Sequence, residues 1–297
     1  VPYPTGRKFY HSLGYQRFES VMTSTLTFKT LNDEHLGGAL RMSSDVRWPH
    51  RLEDWAFVAD ISNGVVAMEG DRVVATALAT LFAPVGMVNM IIVDAALRGR
   101  GLGRDIMSRA MEMIAPDAWR LVSTKDGLPL YEKAGFQITG EILQHQGMVK
   151  PIIPAGAAEW TTADSLRAML ALDTATTGMD RHTLYAALAD KARFAVLRND
   201  TGITGFAAVR DFGRGEVAGP IIARTQEDAQ SLLSLIMAQR TGQLLRVDTS
   251  IETGLGSWLA AQGLPQVGGG LQMQKGELPE SPSRSHTVFA LASQALG

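Results

Sequence analysis

The sequence contains no cysteine among its 297 residues. This absence excludes disulfide bonds, a thiolate nucleophile, a zinc site with cysteine ligands and a covalent acyl-cysteine intermediate. The six histidines are scattered, and none belongs to an H-x-x-H or H-E-x-x-H pattern, so we expect no metal site. The sequence also lacks a G-x-S-x-G elbow and a G-x-x-x-x-G-K-[ST] loop.

An excess of charge of either sign is lacking as well. The 28 basic and 30 acidic side chains give a net charge of −2. We therefore expect no general attraction to nucleic acid or to an anionic membrane, and any anion site must be local. The apolar fraction of 45% is typical of folded globular proteins. The absence of cysteine is compatible with a cytoplasmic protein, and no signal peptide is recognised.

The longest uncharged run, residues 73–93, is long enough to cross a bilayer. Pro84 and Gly86 interrupt its middle, and β-branched residues recur on both sides of this interruption. These features favour two buried strands joined by a turn at residues 83–86 over a membrane-spanning helix.

Helices and strands are predicted to alternate in both halves of the chain, which gives an α/β or α+β class with mixed sheets. In the first half we predict strands at 25–30, 86–93, 119–123 and 136–143, a hairpin over 64–82, and helices at 32–42, 51–61, 103–115 and 128–134. In the second half we predict helices at 162–173, 180–192, 225–240 and 254–262, and strands at 194–199, 203–211, 216–223, 244–250 and 271–274.

A linker is predicted at residues 150–160, where two prolines lie near the midpoint of the chain. It separates a first domain at 22–150 from a second at 151–297. Residues 1–21 are interpreted as a dispensable extension. Part of this extension, FYHSLGYQRFES (9–20), mirrors LYEKAGFQITGE (130–141), although chance similarity is the alternative explanation.

The segment LRGRGLGR (97–104) combines glycines and arginines directly after a predicted strand and before an amphipathic helix. This arrangement is typical of phosphate binding, because a helix N-terminus presents free N–H groups and a partial positive charge. The glycines follow a G-x-G-x-G pattern, so the dinucleotide fingerprint G-x-G-x-x-G does not fit. The alternative is a solvated turn in which a glycine merely caps the helix.

Two motifs, taken together, resemble the GNAT acetyltransferase superfamily. Arg98, Gly101 and Gly103 form R-x-x-G-x-G, which resembles the acyl-CoA pyrophosphate loop of that family. Downstream, PLYEKAGF (129–136) resembles its C-terminal motif of an aromatic residue, three residues, glycine and a second aromatic residue. The order of elements agrees over residues 22–150. The resemblance implies two tandem GNAT-like domains, each a mixed central sheet flanked by helices.

The activity that the resemblance implies is transfer of an acetyl group from acetyl-CoA to a primary amine of a small molecule. Without cysteine, direct attack in a ternary complex is the expected route. No metal cofactor, nucleic-acid partner or membrane partner is expected, and a homodimer is neither indicated nor excluded. The acyl-CoA-binding residues implied by the resemblance are Ile91, Ile92, Val93, Arg98, Gly99, Arg100, Gly101, Leu102, Gly103 and Arg104.

The resemblance also implies two catalytic positions. Tyr131 matches the tyrosine that in many relatives protonates the departing CoA thiolate, the alternative being a half-buried core tyrosine. Asn89 lies near the strand position where some relatives carry a general base, a role that an amide cannot perform. The candidates for a base, each of which has the alternative of being a solvated surface group, are Asp94, Glu53, Glu69 and His50.

The second half resembles the second domain of tandem-GNAT proteins of the YitH-like type, but it lacks both motifs. No R-x-x-G-x-G follows the strand at 216–223, and Leu259 takes the place of the tyrosine. We therefore predict a degenerate domain that does not bind acyl-CoA productively. A non-catalytic acyl-CoA-binding regulatory module is the second hypothesis for the whole chain. A phosphotransfer protein is disfavoured, since no magnesium-ligating motif accompanies the loop.

Overall fold

The computed structural model describes residues 26–278 and 285–297. The predicted extension at 1–21 and the predicted start of the first domain at residue 22 lie outside the described residues. The mixed α/β class is confirmed. The strands are β1 Leu26–Thr30, β2 Asn63–Glu69, β3 Arg72–Phe82, β4 Val85–Val93, β5 Ala118–Ser123, β6 Gln137–Met148, β7 Glu159–Thr161, β8 Ala192–Asn199, β9 Gly202–Phe212, β10 Gly215–Ala223, β11 Leu244–Ser250, β12 Gln266–Lys275 and β13 Thr287–Ala290. The helices are α1 Asp33–Asp45, α2 Leu52–Asp60, α3 Leu102–Met111, α4 Leu128–Lys133, α5 Leu166–Thr177, α6 His182–Ala189, α7 Gln226–Ala238 and α8 Gly256–Ala261.

The uncharged run at 73–93 folds as predicted, into the antiparallel strands β3 and β4 with the turn between Phe82 and Val85. Val65, Ala67 and Ala77 are among the small apolar side chains that let α3 lie close to the sheet. None of the helices in the described part of the chain is long and apolar enough to cross a membrane.

All the described strands belong to one sheet of 13 strands. Its order is β1-β2-β3-β4-β5-β12-β6-β11-β10-β9-β8-β7, with β13 attached to β10. Two neighbouring pairs are parallel, β4 with β5 and β10 with β11. The two halves thus repeat one pattern of pairing and meet at the strands β12 and β6.

The last strands of the two halves are exchanged, which the sequence did not predict. We expected residues 136–143 to close the first unit, but β6 pairs with β12 and β11 instead, while β12 of the second half pairs with β5. Glycines allow β12 to fit between its neighbours. A Cβ atom on Gly269 would lie 2.1 Å from the Ile142 carbonyl oxygen, and one on Gly270 would lie 2.6 Å from that of Ser123.

Helices cover both faces of the sheet. Side chains of α1, α2, α5 and α6 share one core on one face, to which Trp55, Met87 and Tyr185 contribute. The other face is covered by α3 and α4 in the first half and by α7 and α8 in the second, in separate cores. The shared core joins the two halves into a single packed body by burial of apolar surface.

Each half also contacts the other through a hairpin tip. The Asp180 amide, before α6, donates to the carbonyl oxygen of Ala83 between β3 and β4 at 2.8 Å. The Gly213 amide, between β9 and β10, donates to the Asp54 carboxylate of α2 at 2.9 Å. The hairpin tip of each half is therefore hydrogen-bonded to the helical region of the other half.

Candidate functional site

Strand β4 separates from β5 after a short paired stretch. The parallel pairing runs from Val85 to Met87 and goes no further. Met90 then adopts a left-handed conformation with φ of 50°, and the β3–β4 register shifts at this position. The Thr76 hydroxyl donates to the Met90 carbonyl oxygen at 2.7 Å. Residues 90–93, from this bulge to the end of β4, therefore have no strand partner on the β5 side among the described residues, and this unpaired edge is called the gap beside β4.

The arginine–glycine loop follows at once. Asp94 accepts from the Ala96 amide at 3.0 Å and is ion-paired with Arg72, which fixes the start of a 3-10 turn at Ala95–Leu97. The φ angles of Gly99 and Gly101 are 77° and 85°, a left-handed conformation that glycine adopts without a Cβ penalty. These two glycines bend the chain into the N-terminus of α3.

The N-terminus of α3 is open. Its N-cap residue Gly101 provides no side-chain cap, and within the described part of the chain the amides of residues 99–103 donate no hydrogen bond. The helix dipole adds a partial positive charge at the same place. Arg98, Arg100 and Arg104 are exposed around it. Free amides, a helix dipole and three arginines thus lie together, an arrangement that favours an anion.

Gly103 differs in backbone conformation from the two glycines before it. It lies in the first turn of α3, and its φ is not in the left-handed region. A Cβ atom there would make ordinary contacts of 3.5 Å with Leu130 and Val93. The backbone and the packing would therefore both accept a side chain at residue 103, whereas Gly99 and Gly101 need the left-handed conformation that shapes the loop.

Tyr131 lies in α4 beneath the gap beside β4. Its ring packs edge-on against Phe136 with 6.2 Å between the ring centroids, in a cluster with Val88 and Leu121. Burial raises the pKa of the hydroxyl to about 12. The hydroxyl makes no hydrogen bond to the described residues and is not among their fully buried polar atoms. It is therefore a protonated phenol with access to solvent.

Asn89 lies on the opposite face of β4, on the side of α1 and α2. Its amide nitrogen donates to the Thr80 hydroxyl at 2.9 Å, and Thr80 is 2.6 Å from the Ser62 hydroxyl. Its carbonyl oxygen Oδ1 is buried and has no partner among the described residues. A buried acceptor without a donor costs free energy, so this atom marks a position where a ligand N–H would be favoured.

The four candidates for a base have different surroundings. Asp94 and Glu69 both face Arg72, and Glu53 is exposed on α2. His50 lies between α1 and α2, with its ring edge-on to those of Trp48, Trp55 and Phe212. Burial lowers the His50 pKa to about 4. His50 is thus neutral at physiological pH, and its Nδ1 atom has no partner among the described residues.

In the second half the corresponding gap is filled. Strand β13 pairs with β10 at Ile221–Ala223, directly after the irregularity in that strand. The Leu291 amide donates to the Asp248 carbonyl oxygen at 2.9 Å, and the Thr249 hydroxyl donates to that of Phe289 at 2.6 Å. The chain's own backbone therefore satisfies the edge of β10 and reaches β11.

The helix that follows this gap is closed as well. The Thr225 hydroxyl caps α7 by accepting from the Asp228 amide at 3.2 Å. Glu227 and Asp228 place two carboxylates in the first turn of α7. Hydrogen bonds from the Glu227 amide and from Thr225 lower the pKa of the Glu227 carboxyl. Leu259, where the tyrosine would recur, is fully buried.

Sequence reasoning missed three features of the site: the bulge at Met90, the hydroxyls of Thr76 and Thr80 that support β4, and the filled second gap. A methionine in a bulge has no sequence signature. The threonines looked like ordinary strand residues, since threonine is common in strands. Among the described residues no group of three or more histidine, aspartate or glutamate side chains could hold a metal ion.

Comparison with known families finds the same domain in both halves. Residues 60–138 match one model described as an acetyltransferase (GNAT) domain, and residues 169–290 match a second model with the same description. The first match contains the loop, β4 and Tyr131. The second contains β10, α7 and β12.

Similar proteins extend over nearly the whole chain. The uncharacterized N-acetyltransferase YitH of Bacillus subtilis is 28% identical over 282 residues, which is 90% of this chain and 97% of that protein. A candidate acetyltransferase from Pyrococcus horikoshii has a similar structure, with a TM-score of 0.78 at 17% identity over 96% of this chain and 100% of that one. A tandem GNAT protein from the clavulanic acid biosynthesis pathway gives a TM-score of 0.58 at 16% identity, covering 84% and 98%.

Proposed function

Because the chain belongs to the GNAT acetyltransferase superfamily, with a GNAT domain in each half, we propose that its first half acetylates a primary amine of a small molecule. The observation that carries the proposal is the open end of β4 followed by the open N-terminus of α3. The corresponding gap of the second half is filled by β13 and its helix is capped. The chemistry therefore belongs to residues 85–136.

Acetyl-CoA is the acyl donor in this proposal. Residues 98–104 hold the pyrophosphate through the free amides and the arginines, since both favour an anion. The main chain of Ile91, Ile92 and Val93 faces the gap and binds the pantetheine arm. An N–H group at the bulge stabilises the oxyanion that forms at the thioester carbonyl.

The transfer is a direct attack in a ternary complex. The amine nitrogen forms a bond to the thioester carbon, the carbon–sulfur bond breaks, and the CoA thiolate takes the proton of the Tyr131 hydroxyl. The high pKa of Tyr131 keeps that proton in place until a thiolate forms. Asn89 orients the amine, because its free Oδ1 atom accepts a hydrogen bond from N–H. The proton of the attacking amine leaves to solvent, and the Tyr131 phenolate takes a proton back from solvent, so the phenol is restored for the next turnover.

Calorimetric titration and an amine panel test this proposal. Titration with acetyl-CoA is expected to show one site per chain, and thiol release is expected with at least one amine. Binding without thiol release from any amine would favour a non-catalytic acyl-CoA-binding module. Two bound molecules per chain would contradict the assignment of the chemistry to the first half.

The loop can be tested separately by replacing Arg98 and Gly101 together, as Arg98→Gln with Gly101→Val. We expect the Kd for acetyl-CoA to rise at least tenfold, because a charge is lost and valine is strained at a φ of 85°. The matched control is Arg224→Gln, which removes the arginine just before the N-cap of α7 and leaves the Kd unchanged. An unchanged Kd in the double variant would overturn the assignment of the loop.

A further inference from the structure

Arg120 is a partly buried cation without a hydrogen-bond partner among the described residues, and it lies in the first half of the chain. It stands in β5 opposite Met87, and its neighbour Leu121 packs towards α3 and α4, so Arg120 points to the other face. Its Nε atom is buried and unbonded. No carboxylate of the described residues lies within 4 Å of it.

The end of this guanidinium group reaches open space. Its two Nη atoms donate no hydrogen bond to the described residues, yet they are not among the fully buried polar atoms. Burial and the positive charge of Arg181 lower the Arg120 pKa. A guanidinium remains charged even so, and it lies beside the strand that carries Asn89.

The second half shows the same arginine with its partner present. Arg246 holds the equivalent place in β11, opposite Val217 of β10. It makes two hydrogen bonds to the Asp248 carboxylate, at 2.9 and 3.0 Å. Two residues after Arg120, where β11 has this aspartate, β5 has Val122. The first half therefore has the arginine and lacks the aspartate.

A buried unpaired charge is costly, and the planar fork of a guanidinium fits a carboxylate through two parallel hydrogen bonds. Arg120 is also well placed for an acceptor molecule. Met90 lies three residues beyond Met87, about 10 Å along the strand at roughly 3.3 Å per residue. An amine directed at the bulge would thus bring a second group of the same molecule towards Arg120.

We propose that Arg120 binds a carboxylate of the acceptor, so that the substrate is an amino acid or another amine that carries a carboxylate. This inference rests on the proposed acetyl transfer and specifies its substrate class. The acceptor carboxylate takes the place that Asp248 occupies beside Arg246. Arg120 is then a binding residue, and Asn89 orients the amine at the other end.

Pairs of amines that differ only in the carboxylate test the proposal. L-lysine is compared with cadaverine, L-ornithine with putrescine, and the remaining amino acids with their decarboxylated forms, by thiol release from acetyl-CoA. At least one carboxylated amine is expected to have a kcat/KM ten or more times that of its partner. Arg120→Gln is expected to reduce this ratio at least tenfold, and Arg120→Lys to restore part of it.

Arg167→Gln is the control, because it removes an exposed arginine of α5 and leaves the ratio unchanged. An unchanged ratio in Arg120→Gln, or a preference for decarboxylated amines, would overturn the role of Arg120 while acetyl transfer stands. Binding of acetyl-CoA without transfer to any amine would overturn the proposed function itself, and this inference with it.

Thermal unfolding gives a second, independent readout. Arg120→Met is expected to leave the midpoint of the free protein unchanged or to raise it, since the variant removes an uncompensated buried charge. The matched variant Arg246→Met is expected to lower the midpoint by several degrees, because it leaves Asp248 without its guanidinium. A fall of the same size in Arg120→Met would mean that Arg120 is paired within the chain, and the proposal would be wrong.

Discussion

Two pairs of parallel strands, β4 with β5 and β10 with β11, carry the main contrast in this molecule. In both pairs the ladder is short and the strands separate beyond it. Beside β4 the edge stays open among the described residues, whereas beside β10 the chain inserts its own strand β13. The same backbone unit therefore has an open edge in the first half and a strand-paired edge in the second.

The helix ends that follow these strands differ in the same sense. The α3 end has a bare glycine cap and three exposed arginines around it. The α7 end has a threonine cap and two acidic residues in its first turn. An anion is attracted to the first and repelled from the second. The two helix ends therefore differ in their side chains and their charge, although the strand–helix unit is the same.

The largest expected effect concerns the arginines that begin α2 and α6. Arg181 is ion-paired with Asp173 in complete burial, whereas Arg51 beside Asp54 is partly exposed. We expect Asp173→Asn to reduce the free energy of unfolding by about 3–5 kcal/mol, because it leaves a buried charge unpaired. Asp54→Asn should cost less, since Arg51 can reach water and the buried Arg210 lies 3.9 Å away without a hydrogen bond to Asp54. Urea denaturation measures both, and equal losses would contradict the argument.

The next effect tests whether Tyr131 makes the first half active. We expect Tyr131→Phe to lower kcat about 100-fold through loss of the proton donor, with the Kd for acetyl-CoA unchanged because the ring remains. The donor is the protonated form, which is lost only as the pH rises through about 12. The wild-type rate should therefore show no loss from this group between pH 7 and 10. Tyr185→Phe, in the second half, should leave kcat unchanged, and an unchanged kcat in Tyr131→Phe would exclude the role.

A smaller effect distinguishes the loop before α2 from the loop before α6. His50 lies before α2 with its pKa lowered to about 4, whereas the exposed Asp180 holds this place before α6. In the unfolded chain His50 takes up a proton as the pH falls through 6.5, whereas in the folded chain it stays neutral until the pH approaches 4. The contribution of His50 to the free energy of unfolding is therefore fully present above pH 6.5 and is lost as the pH falls towards 4. We expect His50→Phe to reduce this loss by about 2 kcal/mol in urea denaturation at pH 7.5 and 4.5, and an identical loss would contradict the burial of a neutral ring.

The smallest effect concerns the cap of α7. We expect Thr225→Ala to reduce the free energy of unfolding by about 1 kcal/mol, the usual value of an N-cap side chain. The Kd for acetyl-CoA should stay the same, because the end of α7 does not belong to the site. A higher Kd in this variant would show that both halves take part in binding, which would contradict the contrast between an open first half and a closed second half.

The sequence predicted most single elements because each depends on local signals. Turn glycines and apolar periodicity marked the hairpins and helices. The loop was recognisable because Arg98, Gly101 and Gly103 form R-x-x-G-x-G between a strand and an amphipathic helix. The partners of the strands were not predictable. Nothing local to residues 266–275 indicates that they lie between β5 and β6, since this depends on close backbone approach at Gly269 and Gly270. The missing partner of Arg120 likewise emerged only from comparing β5 with β11.

The exchange of β6 and β12 has a consequence for how the chain can be divided. A protease cut at 150–158, between β6 and β7, would leave two pieces that each hold a central strand of the other. Such pieces should stay together without a peptide bond and come apart only when the whole sheet unfolds. The unit of cooperative unfolding is then the entire chain. Grafting the first half alone onto another protein would also leave β5 without its neighbour, so an engineer would have to transfer both halves.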